Sequence, residues 1–133
     1  MAKAVEAAQV RRFGRSAVSV VFRTPVLVLE TIGRRSRAKR STTLAFKRLD
    51  DGTLLVVGGA GGQARVPDWV ANLRANPQAV AWVDRAPLPV LAVEMTGADR
   101  QEAWRHLCEV WPRIDRYERR AGRRVPVFRL RRE

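Results

Sequence analysis

The sequence predicts an α+β fold, in which an antiparallel sheet curls into a small barrel with helices at its edges. Two observations lead to this prediction. Most apolar runs are short, β-prone and bounded by Gly, Pro or Asp, as strands are. Successive runs also lie close together in the chain, with hairpin-type links between them. The length of 133 residues matches one domain, so we expect residues 1–133 to fold as a single unit.

The N-terminal segment, residues 1–22, is predicted to be helical from residue 2 onward. Ala and Val dominate its beginning, and three arginines cluster in its middle: Arg11, Arg12 and Arg15. Such a segment fits a basic amphipathic helix that lies on a membrane surface. It also fits a helix packed on the domain's own sheet, which is the interpretation we favour. Pro25 then breaks the chain.

Three strands are predicted next. Residues 26–32 form an apolar run typical of a buried strand, and a basic loop follows at 33–40. Residues 41–48 are β-prone, and an Asp-Gly pair marks a turn before a further strand at 53–57. We therefore expect 41–48 and 53–57 to pair as a hairpin.

A short helix and two strands come after a glycine-rich segment. Pro67 and Asp68 suit the first turn of a helix over 67–75, which an Asn-Pro pair ends. The β-prone runs at 79–83 and 89–95 predict two strands around a turn.

The last part of the chain predicts two helical stretches and a strand. Thr96, with Asp99 three residues later, resembles a capping box and marks a helix start. The apolar face of this helix consists of Trp104, Leu107, Cys108 and Trp111. Pro112 interrupts it, a polar helix follows at 113–122, and 125–130 is the final strand.

The charge of the chain is unusual. It has 26 Lys and Arg against 13 Asp and Glu, a formal net charge of +13, and only three of the cations are lysines. The planar fork of arginine suits phosphate and carboxylate. A field this positive predicts an anionic partner, which is a nucleic acid, a membrane surface or a polyanionic small molecule. A general arginine bias on a solvated surface is an equally weighted alternative.

Composition excludes several classes of protein. No apolar run approaches the roughly 20 residues of a membrane span, and none resembles a signal-peptide core. Cys108 is the only cysteine, which excludes an internal disulfide and a zinc ribbon. His106 is the only histidine, which excludes a site with two His ligands. We therefore expect no metal and a cytoplasmic location.

Two loops carry the candidate chemistry. The loop at 33–40 has five basic residues in eight, with the Ser36 hydroxyl among them, and can clamp a phosphate through bidentate guanidinium contacts. A solvated charged turn is its commoner role. The second loop, GGAGG at 58–62, lets backbone N–H groups approach an anion or a planar ring. A flexible hairpin tip explains it equally well. The expected hairpin over 41–57 would bring the two loops together.

Acid–base groups are scarce. His106 and Cys108 are two residues apart on a predicted helix, so their side chains point in different directions. We place Cys108 in the apolar face and His106 on the surface. No catalytic residue is assigned, and an enzyme built on this sequence needs a cofactor to supply the chemistry.

Three motifs resemble the deazaflavin-dependent nitroreductase family of actinobacteria, whose members use coenzyme F420. They are TIGRRSRAKR at 31–40, LVVGGAGG at 55–62 and PDWVANLRANP at 67–77. The resemblance covers residues 20–130 and implies a split β-barrel with flanking helices, similar to flavin-reductase-like and pyridoxamine-phosphate-oxidase-like proteins. It implies an F420H2-dependent oxidoreductase that transfers hydride to a small conjugated acceptor such as a quinone, nitro compounds being incidental.

The resemblance also implies roles for individual residues. The cofactor is a polyanion, with a phosphate and a lactyl-oligoglutamate tail. The residues matched to its phosphate and tail are Arg35, Ser36 and Arg40. Those matched to its ring are Val57, Gly58, Gly59 and Ala60, and those on the remaining wall are Asp68, Trp69 and Val70. Asn72 and Leu73 are matched to positions that lock the helix to the barrel, and Trp111 and Tyr117 to the substrate side.

Three departures from the family pattern stand out. Arg37 replaces a usual Gly, Thr43 a usual Pro, and Gly59 a Ser whose hydroxyl serves the reactive edge of the ring. The usual hydrogen bond at that edge is therefore missing. A non-catalytic carrier of the deazaflavin, or a binder of FMN or haem, is the alternative. A nucleic-acid-binding role ranks third, because the aromatic residues do not alternate with basic ones on any predicted strand.

Overall fold

Seven strands form one antiparallel sheet in the computed structural model, which describes residues 25–58 and 65–133. The strands are β1 Val26–Ile32, β2 Lys39–Ala45, β3 Lys47–Arg48, β4 Leu54–Val57, β5 Gln78–Val83, β6 Ala86–Glu94 and β7 Val127–Arg132. Three helices complete the described part: α1 Asp68–Ala75, α2 Gly97–Val110 and α3 Ile114–Ala121. The predicted helix at 1–22 lies outside the described residues, so its contact with a membrane stays a prediction. Within the described ranges, no helix combines the length and hydropathy that a membrane span requires.

The sheet curls because its two edge strands are neighbours in the chain. The strand order is β2-β1-β5-β6-β7-β4-β3, so β2 and β3 lie at opposite edges. Only Phe46 separates them in sequence, and its N–H donates to the carbonyl of Pro25 at 3.2 Å. One residue cannot span a flat seven-stranded sheet, so the edges must approach each other. The α+β split-barrel prediction is confirmed.

The predicted hairpin between 41–48 and 53–57 forms only at its turn end, and the rest of its first run pairs elsewhere. The run at 41–48 divides at Phe46, whose side chain is buried in the barrel. Its first part pairs with β1, and only the two residues of β3 pair with β4. The basic loop is therefore the tip of the β1–β2 hairpin.

The interior of the barrel follows the two-residue period of its strands. Leu54 and Val56 point into the main core, whereas Leu55, between them, packs in a second cluster on the outer face. Helix α1 adds Trp69, whose ring centroid lies 5.8 Å from that of Phe128. The main core consists of Leu27, Leu29, Phe46, Leu54, Val56, Trp69, Val70, Leu73, Ala81, Val90, Ala92, Phe128 and Leu130.

Helices α2 and α3 cover the outer face of β4 and β7. Leu107 is fully buried in the second cluster, and Trp104, Cys108 and Trp111 pack against it, as the apolar face predicted. Thr96 occupies the N-cap of α2, but its side chain makes no capping hydrogen bond. Gly122 ends α3 in the left-handed conformation, with φ of 65°, which suits glycine.

Candidate functional site

A cavity of about 400 Å³ lies between the tip of the β1–β2 hairpin and the first turns of α1. Most of its lining residues are polar, and three of the eleven are arginines. The residues that line it are Thr31, Gly33, Arg34, Arg35, Ser36, Arg40, Ser41, Thr42, Asp68, Trp69 and Asn72. Five of the residues selected from the sequence therefore meet at one cavity: Arg35, Ser36, Arg40, Asp68 and Trp69.

The hairpin tip is held by its own hydrogen bonds. The N–H of Gly33 donates to the carbonyl of Ala38 at 2.8 Å, and that of Arg37 to the carbonyl of Gly33 at 2.9 Å. Ser36 Oγ accepts from the N–H of Ala38 at 3.2 Å and from Arg40 Nη2 at 3.3 Å. A hydroxyl that accepts twice keeps its own proton for a further acceptor. Ser36 is thus prepared to donate to an anion in the cavity.

Arg37 takes a backbone conformation that favours glycine. Its φ is 63°, in the left-handed region, where a side chain costs about 1 kcal/mol. Members of the family that the sequence resembles usually have Gly at this position. The left-handed turn therefore explains why Gly is usual at this position. In this chain the hydrogen bonds of the hairpin tip hold Arg37 in the same conformation.

Asn72 joins α1 to the hairpin tip. Its side-chain Oδ1 accepts from the N–H of Arg34 at 3.1 Å and from Arg34 Nη1 at 3.0 Å. Its Nδ2 donates to Thr31 Oγ1 at 3.2 Å. Asn72 and Thr31 are only 4% and 1% exposed, so their mutual hydrogen bond replaces hydrogen bonds that their side chains would otherwise form with water. Helix α1, rather than a 41–57 hairpin, fixes the basic loop.

The charges at the cavity are unbalanced. Arg34 Nη2 lies 3.5 Å from Asp68 Oδ1, and Arg65 Nη2 lies 2.9 Å from the same oxygen. Arg35 and Arg40 form no ion pair with any residue in the described ranges. The cavity therefore presents two guanidinium groups that no carboxylate of the described ranges pairs with, which is the charge pattern of an anion site.

The end of β4 is a close approach of backbone to α1, at the buried Gly58. The N–H of Gly58 donates to the carbonyl of Pro126 at 2.8 Å. A Cβ on Gly58 would lie 2.7 Å from Val70 Cγ2, so only glycine fits. Val70 itself is fully buried in the main core and Val57 packs on the second cluster. Gly59 and Ala60, the other residues matched to the ring, lie outside the described residues.

The two residues matched to the substrate side lie on the other helices. Trp111 ends α2 and packs half-buried against the second cluster. Tyr117 is 41% exposed on α3. The described residues that line the cavity include neither of them. Their role stays a prediction.

Sequence reasoning missed several residues of the cavity. Arg34 belongs to the basic loop, but nothing local distinguishes it as the arginine that turns toward α1. Thr31 and Asn72 are 41 positions apart and meet only through the fold. Ser41 and Thr42 lie at the start of β2, and their polar side chains in a strand were the one available signal. Among the described residues, no three His, Cys, Asp or Glu side chains are grouped to hold a metal ion.

The Cys108 thiol is expected to react slowly with iodoacetamide. Burial, with the nearby Asp115 carboxylate, raises the pKa of this thiol above its ordinary value. The folded state therefore favours the protonated thiol over the thiolate. This contribution to the free energy of unfolding is full below the pKa that Cys108 has in the unfolded chain, and it is lost as pH rises through the higher pKa that Cys108 has in the folded chain. Alkylation followed by mass spectrometry should show a later pH onset in the native chain than in the urea-unfolded chain. Equal onsets would contradict the raised pKa.

Comparisons with known proteins place the chain in a family. The family model of F420H(2)-dependent quinone reductases matches residues 3–131. An F420H(2)-dependent quinone reductase of Mycobacterium tuberculosis is 32% identical over 120 residues, which are 88% of this chain and 80% of that protein. The solved structure of an F420-H2 dependent reductase has a TM-score of 0.72 and 29% identity, and the match covers 80% of this chain and 94% of that one.

A more distant solved structure shares the fold alone. It is a protein of Listeria innocua assigned to the pyridoxamine 5′-phosphate oxidases, with a TM-score of 0.55 and 15% identity over 87% of this chain and 90% of that one. The cavity, the glycine at the end of β4 and the match over nearly the whole sequence lead to one conclusion. This chain belongs to the family of F420H(2)-dependent quinone reductases, oxidoreductases whose cofactor is coenzyme F420.

Proposed function

We propose that this F420H2-dependent quinone reductase binds the anionic tail of its cofactor with Arg35, Ser36 and Arg40. The observation that carries the proposal is the cavity of about 400 Å³, whose lining offers guanidinium groups and hydroxyls and a single carboxylate. A phosphate and an oligoglutamate need this donor set. The described residues therefore fit the tail of coenzyme F420.

The deazaflavin ring would lie toward the end of β4. Gly58 lets the backbone approach Val70 of α1 there, and the preceding residue of that helix, Trp69, lines the cavity. Reduced coenzyme F420, when bound, supplies the hydride that reduces the quinone. The chain itself binds, orients and shields: the arginines hold the tail, and α1, anchored by its buried face, fixes the wall. We place the quinone toward Trp111 and Tyr117.

Removing Arg35 or Arg40, neither of which pairs with a carboxylate of the described ranges, tests the tail site. Arg35→Ala and Arg40→Ala should each raise the Kd of oxidised coenzyme F420 about tenfold, because each removes charge-assisted hydrogen bonds. Binding should also become less dependent on salt, since fewer charges interact. Titration followed by cofactor fluorescence at several salt concentrations measures both effects, with FMN as the parallel ligand.

Arg105→Ala is the matched control. Arg105 is exposed on α2 and forms no ion pair with a described residue. Its removal lowers the net charge by the same amount as Arg35→Ala or Arg40→Ala, but away from the cavity. Unchanged binding in Arg35→Ala and Arg40→Ala, relative to Arg105→Ala, would refute the tail site. Cofactor binding by the native chain without turnover of any quinone would instead favour the non-catalytic carrier.

A further inference from the structure

Arg123 joins the backbone of Gly58, at the end of β4, to that of Arg65, ahead of α1. It follows Gly122, whose left-handed conformation turns the chain away from the end of α3. Its Nη2 donates to the carbonyl of Gly58 at 3.1 Å and to the carbonyl of Arg65 at 3.1 Å. One guanidinium nitrogen thus links the end of β4 to the chain that leads into α1.

Both carbonyls belong to residues that other contacts already tie to the proposed site. Gly58 is held by Pro126 on one side and packs against Val70 on the other. Arg65 pairs through its own guanidinium with Asp68, at 2.9 Å, and Asp68 lines the cavity. The position of Arg123 therefore affects the strand end and the cavity wall together.

We propose that Arg123 is a positioning residue for the deazaflavin ring. It fixes the Gly58 carbonyl and the Arg65 backbone at a constant separation, and so sets the surface along which the ring lies. A charged donor holds a partly buried carbonyl more strongly than a neutral one does. The inference rests on the proposed function, since it assigns the ring to the end of β4. It differs from the tail site, because Arg123 contacts neither Arg35 nor Arg40 in the hydrogen bonds described.

The test compares three variants with the native chain. Arg123→Met removes both donations, Arg123→Lys keeps a cation with several donors, and Arg124→Met removes an exposed neighbouring arginine as the matched control. Each is titrated with oxidised coenzyme F420, and both the Kd and the fluorescence anisotropy and yield of the bound cofactor at saturation are recorded. Thermal unfolding without cofactor reports on the fold of each variant.

We expect Arg123→Met to raise the Kd about tenfold and to change the saturating fluorescence, since the environment of the ring is altered. Arg123→Lys should restore part of both values, and Arg124→Met should match the native chain. Arg35→Ala, by contrast, should shift the Kd and leave the saturating fluorescence unchanged. A general loss of folding would not produce this split between variants.

The outcomes separate the two proposals. If the native chain does not bind coenzyme F420, the proposed function fails, and the role of Arg123 fails with it. If the native chain binds and Arg123→Met has the Kd and saturating fluorescence of Arg124→Met, only the role of Arg123 is overturned. Should Arg123→Met not fold, Arg123→Lys decides: a folded Lys variant with the Kd and saturating fluorescence of the native chain also overturns the role.

Discussion

Replacing Arg100 with methionine is expected to lower the free energy of unfolding by about 3 kcal/mol. Arg100 is 9% exposed, on the inner face of α2. Its Nη2 donates to Glu118 Oε2 at 2.8 Å and to the carbonyl of Val125 at 2.8 Å. Its guanidinium also lies 4.7 Å from the ring centroid of Trp104. The variant would leave a part-buried carboxylate and a buried carbonyl without this donor.

Urea unfolding followed by tryptophan fluorescence measures the loss. The control is Arg105→Met, an exposed position on the same helix, which should change the free energy of unfolding by less than about 0.5 kcal/mol. Adding Glu118→Gln to Arg100→Met should recover part of the loss, because an amide is cheaper to bury than a charge and its oxygen still accepts from the N–H of Val125. An Arg100→Met variant as stable as Arg105→Met would contradict the prediction.

Elements with local boundaries were predicted well from the sequence. The strand at 26–32 matches β1, because a proline and a glycine bound a continuous apolar run. Helix α1 begins after Pro67 and ends at Asn76, because residues at its own two ends set both boundaries. Gly122 ends α3 for the same kind of reason. Each of these signals lies within a few residues of the boundary that it sets.

Features that depend on distant partners were not predicted. The run at 41–48 alternates well enough to pair with either neighbour, and the burial of Phe46 divides it between two strands. The final strand begins at Val127 rather than at 125, because side chains already bond both backbone groups of Val125. The pattern of residues along the sequence cannot show which distant side chain will form a hydrogen bond with a given backbone N–H or carbonyl.

The candidate site shows the same division. Its basic loop and its glycine-rich strand end were visible as composition and motif. The inward turn of Arg34 was not, because Asn72, 38 residues away, determines it. Helix α1 contacts both the basic loop, through Asn72, and Gly58 at the end of β4, through Val70, which the sequence did not indicate.

Asn72→Ala is expected to reduce both stability and cofactor binding. The amide makes three hydrogen bonds, to the N–H and Nη1 of Arg34 and to the buried Thr31 Oγ1. Leaving a buried partner unsatisfied costs about 1–3 kcal/mol, and Thr31 is the buried partner here, so we expect a loss of about 2 kcal/mol in the free energy of unfolding. Arg34 would also lose its anchor, and the Kd of coenzyme F420 should rise.

Asn72→Asp separates the structural effect from the electrostatic one. A carboxylate accepts from both donors of Arg34, and the hydroxyl of Thr31 can donate to it in turn, so most of the stability lost in Asn72→Ala should return. The added negative charge lines the same cavity, however, and repels an anionic tail. We therefore expect a stable variant that still binds coenzyme F420 weakly, with affinity that improves as salt screens the repulsion. Native affinity in Asn72→Asp at low salt would show that the cavity does not hold the tail.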